Sequence, residues 1–194
     1  MKKSENGVSS RRLGKNSAKK IALTAAAVAL AYVVSLLSFP LFPQTPWLKL
    51  DFSYAVMLIA GYMLGPVAAE AVIVILQLLS LFNTGTGGVG ELANFIMANV
   101  FVFLPVLVYR YKKGLPWVIV TLVVCAAGQI VAGLLFNKFL LYPLFFKENA
   151  AEMFRATVGF IAGYNAIKCV ANGAITVLLY KRLRKLISGW VELR

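Results

Sequence analysis

The sequence contains no histidine and only seven acidic residues among its 194 positions. Without histidine, catalytic triads that use an imidazole, histidine metal sites and histidine pH switches are excluded. The two cysteines, Cys125 and Cys169, lie inside apolar runs, where a thiol normally packs as a small hydrophobic group. We therefore predict no catalytic residue, no metal site and no cofactor.

Charge is scarce as well, since 14% of the residues are charged and 60% are hydrophobic, with a mean hydropathy of +0.80. Soluble domains carry roughly 45–50% apolar and about 25% charged residues. The composition therefore indicates a membrane protein. A spanning helix needs about 20 residues, so at most six spans fit this length.

Six apolar runs predict an all-α membrane protein, a compact bundle of six transmembrane helices. The predicted spans are residues 21–39, 52–64, 66–82, 92–109, 117–136 and 158–180. Residues 1–20 form a basic arm without apolar periodicity, which we expect to be irregular. The membrane domain is residues 21–187, and residues 188–194 form a short tail.

The basic residues cluster in three places: residues 1–20, residues 110–113 and the C-terminal residues 181–194. These clusters hold fifteen of the twenty basic residues, and an even number of predicted spans separates them. Cytoplasmic loops are enriched in lysine and arginine, so this pattern places both termini in the cytoplasm. It explains the net charge of +13 by topology, and we predict no nucleic-acid partner.

Three segments fall on the opposite, outer side. Residues 40–51 contain three prolines, which restrict the backbone and favour an ordered, stiff segment. Residues 83–91 contain a GxGxxG pattern, but it follows a membrane helix rather than a strand, so it does not indicate a dinucleotide site. Residues 137–157 are predicted to form an aromatic-rich loop, either an interfacial belt or a lid.

Polar residues within membrane spans are energetically unfavourable and often functional. Asn165, Lys168 and Asn172 follow an i, i+3, i+7 spacing and share one helix face. One interpretation is structural, with Lys168 paired to a buried carboxylate of either Glu91 or Asp51. The other is a small-molecule pocket near the outer face, in which Lys168 and asparagines bind a planar polar ligand.

Several segments, in this order and spacing, resemble a known family. They are KKIAL at the first span, LKLDFS at 48–53, GYMLGPVA at 61–68, GGVGELANF at 87–95, FNKFLLYPLF at 136–145 and YNAIK at 164–168. The sequence resembles the substrate-binding subunits (S components) of energy-coupling factor (ECF) vitamin transporters, and among them the riboflavin-specific type.

This resemblance implies a high-affinity riboflavin-binding subunit in the bacterial cell membrane. Its partners would be a transmembrane coupling subunit and two cytoplasmic ATPases, and the chain itself contains no GxxxxGK[ST] motif for ATP. Asn137, Asn165 and Lys168 match the asparagines and the lysine of riboflavin members. The full set of candidate site residues is Lys168, Asn165, Asn137, Asn94, Leu50, Asp51, Glu91 and Tyr142.

The resemblance also implies that small residues with AxxxA spacing on the first helix contact the coupling subunit. Three pairs have this spacing, Ala22/Ala26, Ala25/Ala29 and Ala27/Ala31, and the sequence does not distinguish among them; the candidate positions are Ala22, Ala25, Ala26 and Ala29. Small residues at such positions permit close helix approach.

Three alternatives remain open. An S component for pantothenate or folate would use Lys168 to pair with the carboxylate of its ligand. An intramembrane enzyme such as a lipid phosphotransferase would need a catalytic constellation, and none is present in the predicted spans. A structural membrane protein would bind nothing at its outer polar face.

Overall fold

The long apolar runs form helices in the computed structural model, which describes residues 4–191 and the side chains of residues 17–180 and 182. The helices are α1 Ser4–Leu36, α2 Ser53–Leu64, α3 Pro66–Ser80, α4 Val89–Ala98, α5 Leu104–Tyr111, α6 Leu115–Phe136, α7 Tyr142–Phe146 and α8 Ala150–Val191. Short 3₁₀ turns occupy Leu81–Asn83 and Lys147–Asn149, and π-helical turns occupy Asn99–Phe103 and Asn137–Leu141.

Four stretches are long and apolar enough to cross a membrane: Ser17–Leu36, Pro66–Asn83, Val89–Tyr111 and Leu115–Tyr180. The last has 66 residues and contains α6, α7 and most of α8, while α2 is a shorter apolar helix. The protein is therefore a mostly helical, multi-pass membrane protein. Each of the six predicted spans coincides with helix over most of its length.

The prediction of an irregular N-terminal arm was wrong, because α1 begins at Ser4. No proline occurs between Ser4 and Leu36, so nothing stops a helix that starts in the apolar span from continuing into the polar residues before it. Residues 1–3 of the arm and residues 192–194 of the predicted tail lie outside the described residues.

The prediction of a loop at residues 137–157 was also wrong, because most of this segment is helical. A π turn and α7 extend α6, and α8 begins at Ala150. Pro143, the second residue of α7, cannot donate to a carbonyl of the preceding turn, and the π turn Asn137–Leu141 lies directly before α7. The chain reverses at Lys147, which has a positive φ of 45°.

Each of the two π turns begins with an asparagine. Asn99 Nδ2 donates to the Phe95 carbonyl at 3.0 Å, and Asn137 Nδ2 donates to the Gly133 carbonyl at 2.8 Å. A π turn interrupts the regular bonding of a helix, and these side chains bond to the carbonyl four residues earlier.

Residues 37–52 form an ordered segment, as the prolines predicted. Strands β1 (Phe39–Pro40) and β2 (Lys49–Leu50) pair antiparallel, with Phe39 opposite Leu50. We refer to residues 37–52 as the hairpin. Together with residues 81–88 and 137–149 it forms the loop-rich end of the bundle, while the tight turns at Gly65 and residues 112–114 lie at the turn end.

The bundle core lies between these two ends. It is formed mainly by buried apolar residues of α2, α3 and the α4–α5 stretch: Met57, Leu58, Val72, Ile73, Leu76, Phe101 and Val102. Toward the turn end, three tyrosines pack together, with Tyr62 and Tyr109 ring centroids 4.8 Å apart. The hydroxyls of Tyr109 and Tyr180 lie 2.9 Å apart and are hydrogen bonded. The core therefore ends in these three packed tyrosines, at the end of the bundle opposite the loop-rich end.

Gly61 allows α2 to approach α5 closely. A Cβ at this position would collide with the Val106 side chain and lie 3.0 Å from the Ala69 Cβ. Gly61 therefore serves packing, whereas a Cβ at Gly159 would meet no atom within 4 Å.

We expect Gly61→Ala to lower the free energy of unfolding by about 1–3 kcal/mol, because an added methyl overpacks the α2–α5 contact. The same change at Gly159 should be neutral or stabilise by up to about 1 kcal/mol, since alanine is the better helix former. Thermal unfolding of both variants in detergent measures the difference. Equal stabilities would contradict the close packing at Gly61.

Candidate functional site

An ion pair is buried at the loop-rich end of the bundle. Lys168 on α8 is 1% exposed, and its Nζ donates to Asp51 Oδ2 at 2.9 Å. Asp51 directly follows β2, so the pair joins the hairpin to α8 across 117 positions of sequence. Glu91 and Asp51 were the two predicted partners of Lys168, and in the structure the partner is Asp51.

The other contacts of the Lys168 ammonium are longer. Its Nζ lies 3.5 Å from Asn94 Oδ1 and 3.4 Å from the Tyr164 hydroxyl. It also lies 4.4 Å from the ring centroid of Tyr54, within the range of a cation–π contact. The ammonium therefore has one strong acceptor and two acceptors near the limit of hydrogen bonding.

Asp51 is held by more than the lysine. Its Oδ1 accepts the Ser53 backbone N–H at 2.9 Å and also the Ser53 hydroxyl. Burial alone would raise the pKa of this carboxyl, but the charge of Lys168 and the Ser53 hydrogen bonds outweigh burial and lower the pKa below its usual 3.8. Asp51 is therefore ionised at neutral pH.

Asn172 and Tyr164 fix the backbone on either side of Asp51. Asn172 Nδ2 donates to the Asp51 carbonyl at 3.0 Å, and its Oδ1 accepts the Ala55 N–H at 2.9 Å. The Tyr164 hydroxyl donates to the Lys49 carbonyl at 2.8 Å. Tyr164 was absent from the predicted site, although it lies one helical turn before Lys168 in the YNAIK segment.

A second group of buried amides lies between α6 and α8. Gln129 Nε2 donates to Asn165 Oδ1 at 3.3 Å, and Asn165 Nδ2 donates to the Ile161 carbonyl at 2.9 Å. Gln129 Oε1 and Asn137 Oδ1 are buried and accept no hydrogen bond in the described part of the protein. Gln129 was absent from the predicted site, although it is a polar residue within the predicted span 117–136.

Gly133 lies at the centre of this amide group. A Cβ at Gly133 would lie only 2.7 Å from Asn165 Nδ2, so glycine makes room for the asparagine side chain. Gln129 and Gly133 lie on α6, Asn137 directly follows α6, and Asn165 lies on α8. All four residues are therefore found where α6 packs against α8.

An aromatic group packs beside the buried amides. The ring of Trp47, in the hairpin, lies 6.3 Å from that of Tyr142 and 5.8 Å from that of Phe146. Tyr142 also packs edge-on against Phe154 at 5.5 Å and bonds to the Thr157 hydroxyl. Trp47 Nε1 is buried without a hydrogen-bond partner among the described residues. Tyr142, a predicted site residue, belongs to this group.

The remaining predicted residues have different surroundings. Leu50 is 5% exposed in β2, next to Asp51, and Asn94 lies in α4 near Lys168. Glu91 Oε2 instead accepts the hydroxyls of Thr84 at 2.9 Å and Thr86 at 3.3 Å. Glu91 therefore orders the glycine-rich loop, and the ion pair is formed without it.

This arrangement suits a planar ligand that is both aromatic and polar. Unpaired amide oxygens accept hydrogen bonds, the indole N–H donates one, and the neighbouring rings supply apolar faces. No cluster of three metal-ligating side chains occurs in the part of the chain that was described.

The chain resembles proteins of known type over most of its length. Residues 19–183 match the family model described as "ECF transporter, substrate-specific component". The riboflavin transporter RibU of Staphylococcus aureus is 28% identical over 184 residues, which cover 92% of this chain and 97% of that protein. The riboflavin transporter FmnP of Bacillus subtilis is also 28% identical, over 90% of this chain and 94% of that protein.

A solved structure of an S component of a bacterial ECF transporter has a similar fold. It superposes with a TM-score of 0.76 at 27% sequence identity, covering 88% of this chain and 98% of the other. The similarity therefore extends over nearly the whole solved chain.

We expect Asp51→Asn to lower the free energy of unfolding by about 3–5 kcal/mol, because it leaves the Lys168 ammonium buried without a counter-charge. The double variant Asp51→Leu/Lys168→Met should recover much of this loss, since neither charge remains. Glu152→Gln, which removes an exposed carboxylate, is the matched control and should change little.

The same ion pair predicts a pH dependence. Because the pKa of Asp51 is lowered on folding, its contribution to stability is complete above pH of about 4 and is lost as the pH falls through the lowered pKa. The stability difference between the wild type and Asp51→Asn should therefore shrink in acid. A difference that is small at neutral pH would contradict the ion pair.

Proposed function

The chain belongs to the family of ECF transporter substrate-specific components, and from this premise we propose that it is the riboflavin-binding subunit of such a transporter. As a member of that family it is a substrate-binding transport component, which is not itself an enzyme. The relatives named riboflavin transporters support riboflavin as the vitamin.

The observation that carries this proposal is the set of unpaired polar atoms beside the aromatic group. Gln129 Oε1, Asn137 Oδ1 and Trp47 Nε1 are buried without hydrogen-bond partners in the described residues. An unsatisfied buried polar group costs about 1–3 kcal/mol, so such atoms favour a ligand that pairs with them. Their grouping between α6, α8 and the hairpin defines the proposed site.

Riboflavin is complementary to these atoms. Its ring system carries an imide N–H for an amide oxygen, carbonyl oxygens for the indole and the amide N–H groups, and hydroxyls on its side chain. The flat face of the ring system can pack against Trp47 and Tyr142. We assign Asn137, Asn165 and Lys168 to polar contacts with the ligand, and Leu50 and Asn94 to its surroundings.

The ion pair favours an uncharged vitamin over pantothenate or folate. Lys168 already has Asp51 as counter-charge at 2.9 Å, so a ligand carboxylate would have to compete with a buried carboxylate for it. A neutral flavin needs only one further N–H of the ammonium, which has three donors. Asp51 thus acts in the site by holding Lys168.

We expect protein purified from cells to be yellow, with the absorbance of bound flavin. Asn137→Leu should weaken riboflavin binding by roughly five- to 150-fold, because a ligand donor loses its acceptor at a cost of about 1–3 kcal/mol. Flavin fluorescence quenching measures the affinity.

Asn99→Leu is the matched control for this substitution. Asn99 also begins a π turn and also donates to the carbonyl four residues earlier, but it lies in the stretch between α4 and α5. Its replacement should leave the affinity for riboflavin unchanged. If both variants bind riboflavin like the wild type, Asn137 does not contact the ligand, and colourless protein without riboflavin affinity would refute the function.

We further propose six membrane crossings with both termini in the cytoplasm. The stretch Leu115–Tyr180 supplies two crossings, because α6 and α8 pack against each other and the chain reverses at residues 147–149 between them. With the basic clusters cytoplasmic, the loop-rich end and the ligand site face outward. The basic arm 1–20 and tail 188–194 are then cytoplasmic.

The coupling contact is proposed for α1. Ala22, Ala25, Ala26 and Ala29 are all exposed, whereas Val28 and Ala31 pack into the bundle. The i, i+3, i+4, i+7 spacing places the four alanines on one outward face, where another helix can approach closely. This face supports assembly with a transmembrane coupling subunit, which would connect the chain to two ATPases.

We expect Ala25→Trp and Ala29→Trp to abolish riboflavin uptake by cells while leaving riboflavin affinity unchanged, because the bulky ring blocks only the outward face of α1. Val123→Trp, at a position 66% exposed on α6, should preserve both activities. Uptake and binding are measured on the same variants. Uptake at the wild-type rate in both alanine variants would exclude this face.

A further inference from the structure

A cavity of about 360 Å³ opens at the loop-rich end, outside the amide group. Its size falls within the range of small-molecule sites. It lies between the π turn after α6, α7 and the first turns of α8. Its lining residues are Lys138, Phe139, Pro143, Ala150, Ala151, Phe154 and Arg155.

Two cations without a neighbouring carboxylate lie at this cavity. In the described part of the chain, the one ion pair within 4.0 Å is that of Asp51 with Lys168, so Lys138 and Arg155 have no acidic partner at that distance. Glu148 and Glu152 are close in sequence, but neither lines the cavity. The lining therefore carries a local charge of +2 over an otherwise apolar wall.

The surface around the cavity is apolar and points away from the bundle. Phe139 is 66% exposed, Leu140 43%, Leu144 55% and Phe145 47%. Phe139 and Leu140 lie in the π turn after α6, and Leu144 and Phe145 lie in α7. In the proposed topology the chain leaves the membrane at this segment. Aromatic and aliphatic side chains at this level of a membrane protein contact lipid.

We propose that this cavity binds the phosphate headgroup of an anionic phospholipid, with Lys138 and Arg155 as its ligands. The guanidinium of Arg155 can hold two phosphate oxygens, and the Lys138 ammonium adds a point charge. The acyl chains then cover Phe139 and Leu144. A soluble phosphate would satisfy the cations but leave the apolar wall uncovered, so the surroundings favour the lipid.

The outward position of the cavity rests on the proposed topology, but lipid binding itself does not require riboflavin binding. The cavity shares Phe154 with the aromatic group, and Phe154 packs against Tyr142. A lipid bound there would therefore support the aromatic group of the ligand site from the membrane side.

The test compares the melting temperature of the purified full-length protein in detergent with added phosphatidylglycerol, phosphatidylcholine or glycerol phosphate. We expect phosphatidylglycerol to raise it by about 2–4 °C, the shift that roughly 1 kcal/mol gives a chain of this size. Phosphatidylcholine, whose headgroup carries no net charge, should act more weakly, and glycerol phosphate should have no effect.

The double variant Lys138→Gln/Arg155→Gln should lose the phosphatidylglycerol shift. Lys113→Gln/Lys147→Gln removes the same charge from exposed positions outside the cavity and should keep it. If the double variant does not fold, each single substitution should reduce the phosphatidylglycerol shift by at least half. No shift in the wild type, an equal shift in the cavity variants, or an equal effect of glycerol phosphate would overturn the proposal.

Riboflavin affinity is measured on the same samples. We expect it to be unchanged in the control variant and at most slightly reduced in the cavity variants. Absence of riboflavin binding in every sample would contradict the proposed function alone, because the lipid shift does not depend on riboflavin binding.

Discussion

The buried ion pair between Asp51 and Lys168 is the constraint on which the loop-rich end depends. A charge taken out of water is tolerated only when a counter-charge and hydrogen bonds surround it, so the hairpin must return to α8 at this point. Asn172 then bonds to the backbone of Asp51 and Ala55, and Tyr164 bonds to that of Lys49. The hairpin that carries Trp47 is thereby fixed to α8, and Trp47 packs against Tyr142 and Phe146, which follow Asn137 in the chain.

The sequence was sufficient to predict helix in the apolar runs, because in a membrane the length of an apolar run nearly determines the helix. The sequence was insufficient to predict the structure of the polar segments that flank the apolar runs. Helix α1 extends to Ser4 since no proline interrupts it, and residues 137–157 are helical although their aromatic and charged composition suggested a loop. In both segments the neighbouring span continues its backbone hydrogen bonding into polar sequence, an effect that composition does not reveal.

The candidate site could likewise be predicted only in part from the sequence. The i, i+3, i+7 spacing identified Asn165, Lys168 and Asn172 as one face, because helical geometry is local. The choice between Asp51 and Glu91 required the fold, since Asp51 lies 117 positions from Lys168 and Glu91 is instead bonded to Thr84 and Thr86. The role of Gly133 was likewise invisible, because it depends on how closely α8 brings Asn165.

The two polar groups differ in what remains for a ligand to satisfy. Around Lys168 the strong contact is already made, and only the longer bonds to Asn94 and Tyr164 are open to exchange. In the described residues no group donates to the Asn137 amide oxygen, and the Trp47 N–H has no acceptor. At about 1–3 kcal/mol for each unsatisfied group, the free protein carries a penalty that a complementary ligand removes. For the proposed riboflavin site we therefore expect binding strength to arise mainly from the amides and the indole, while the ion pair holds the hairpin in place.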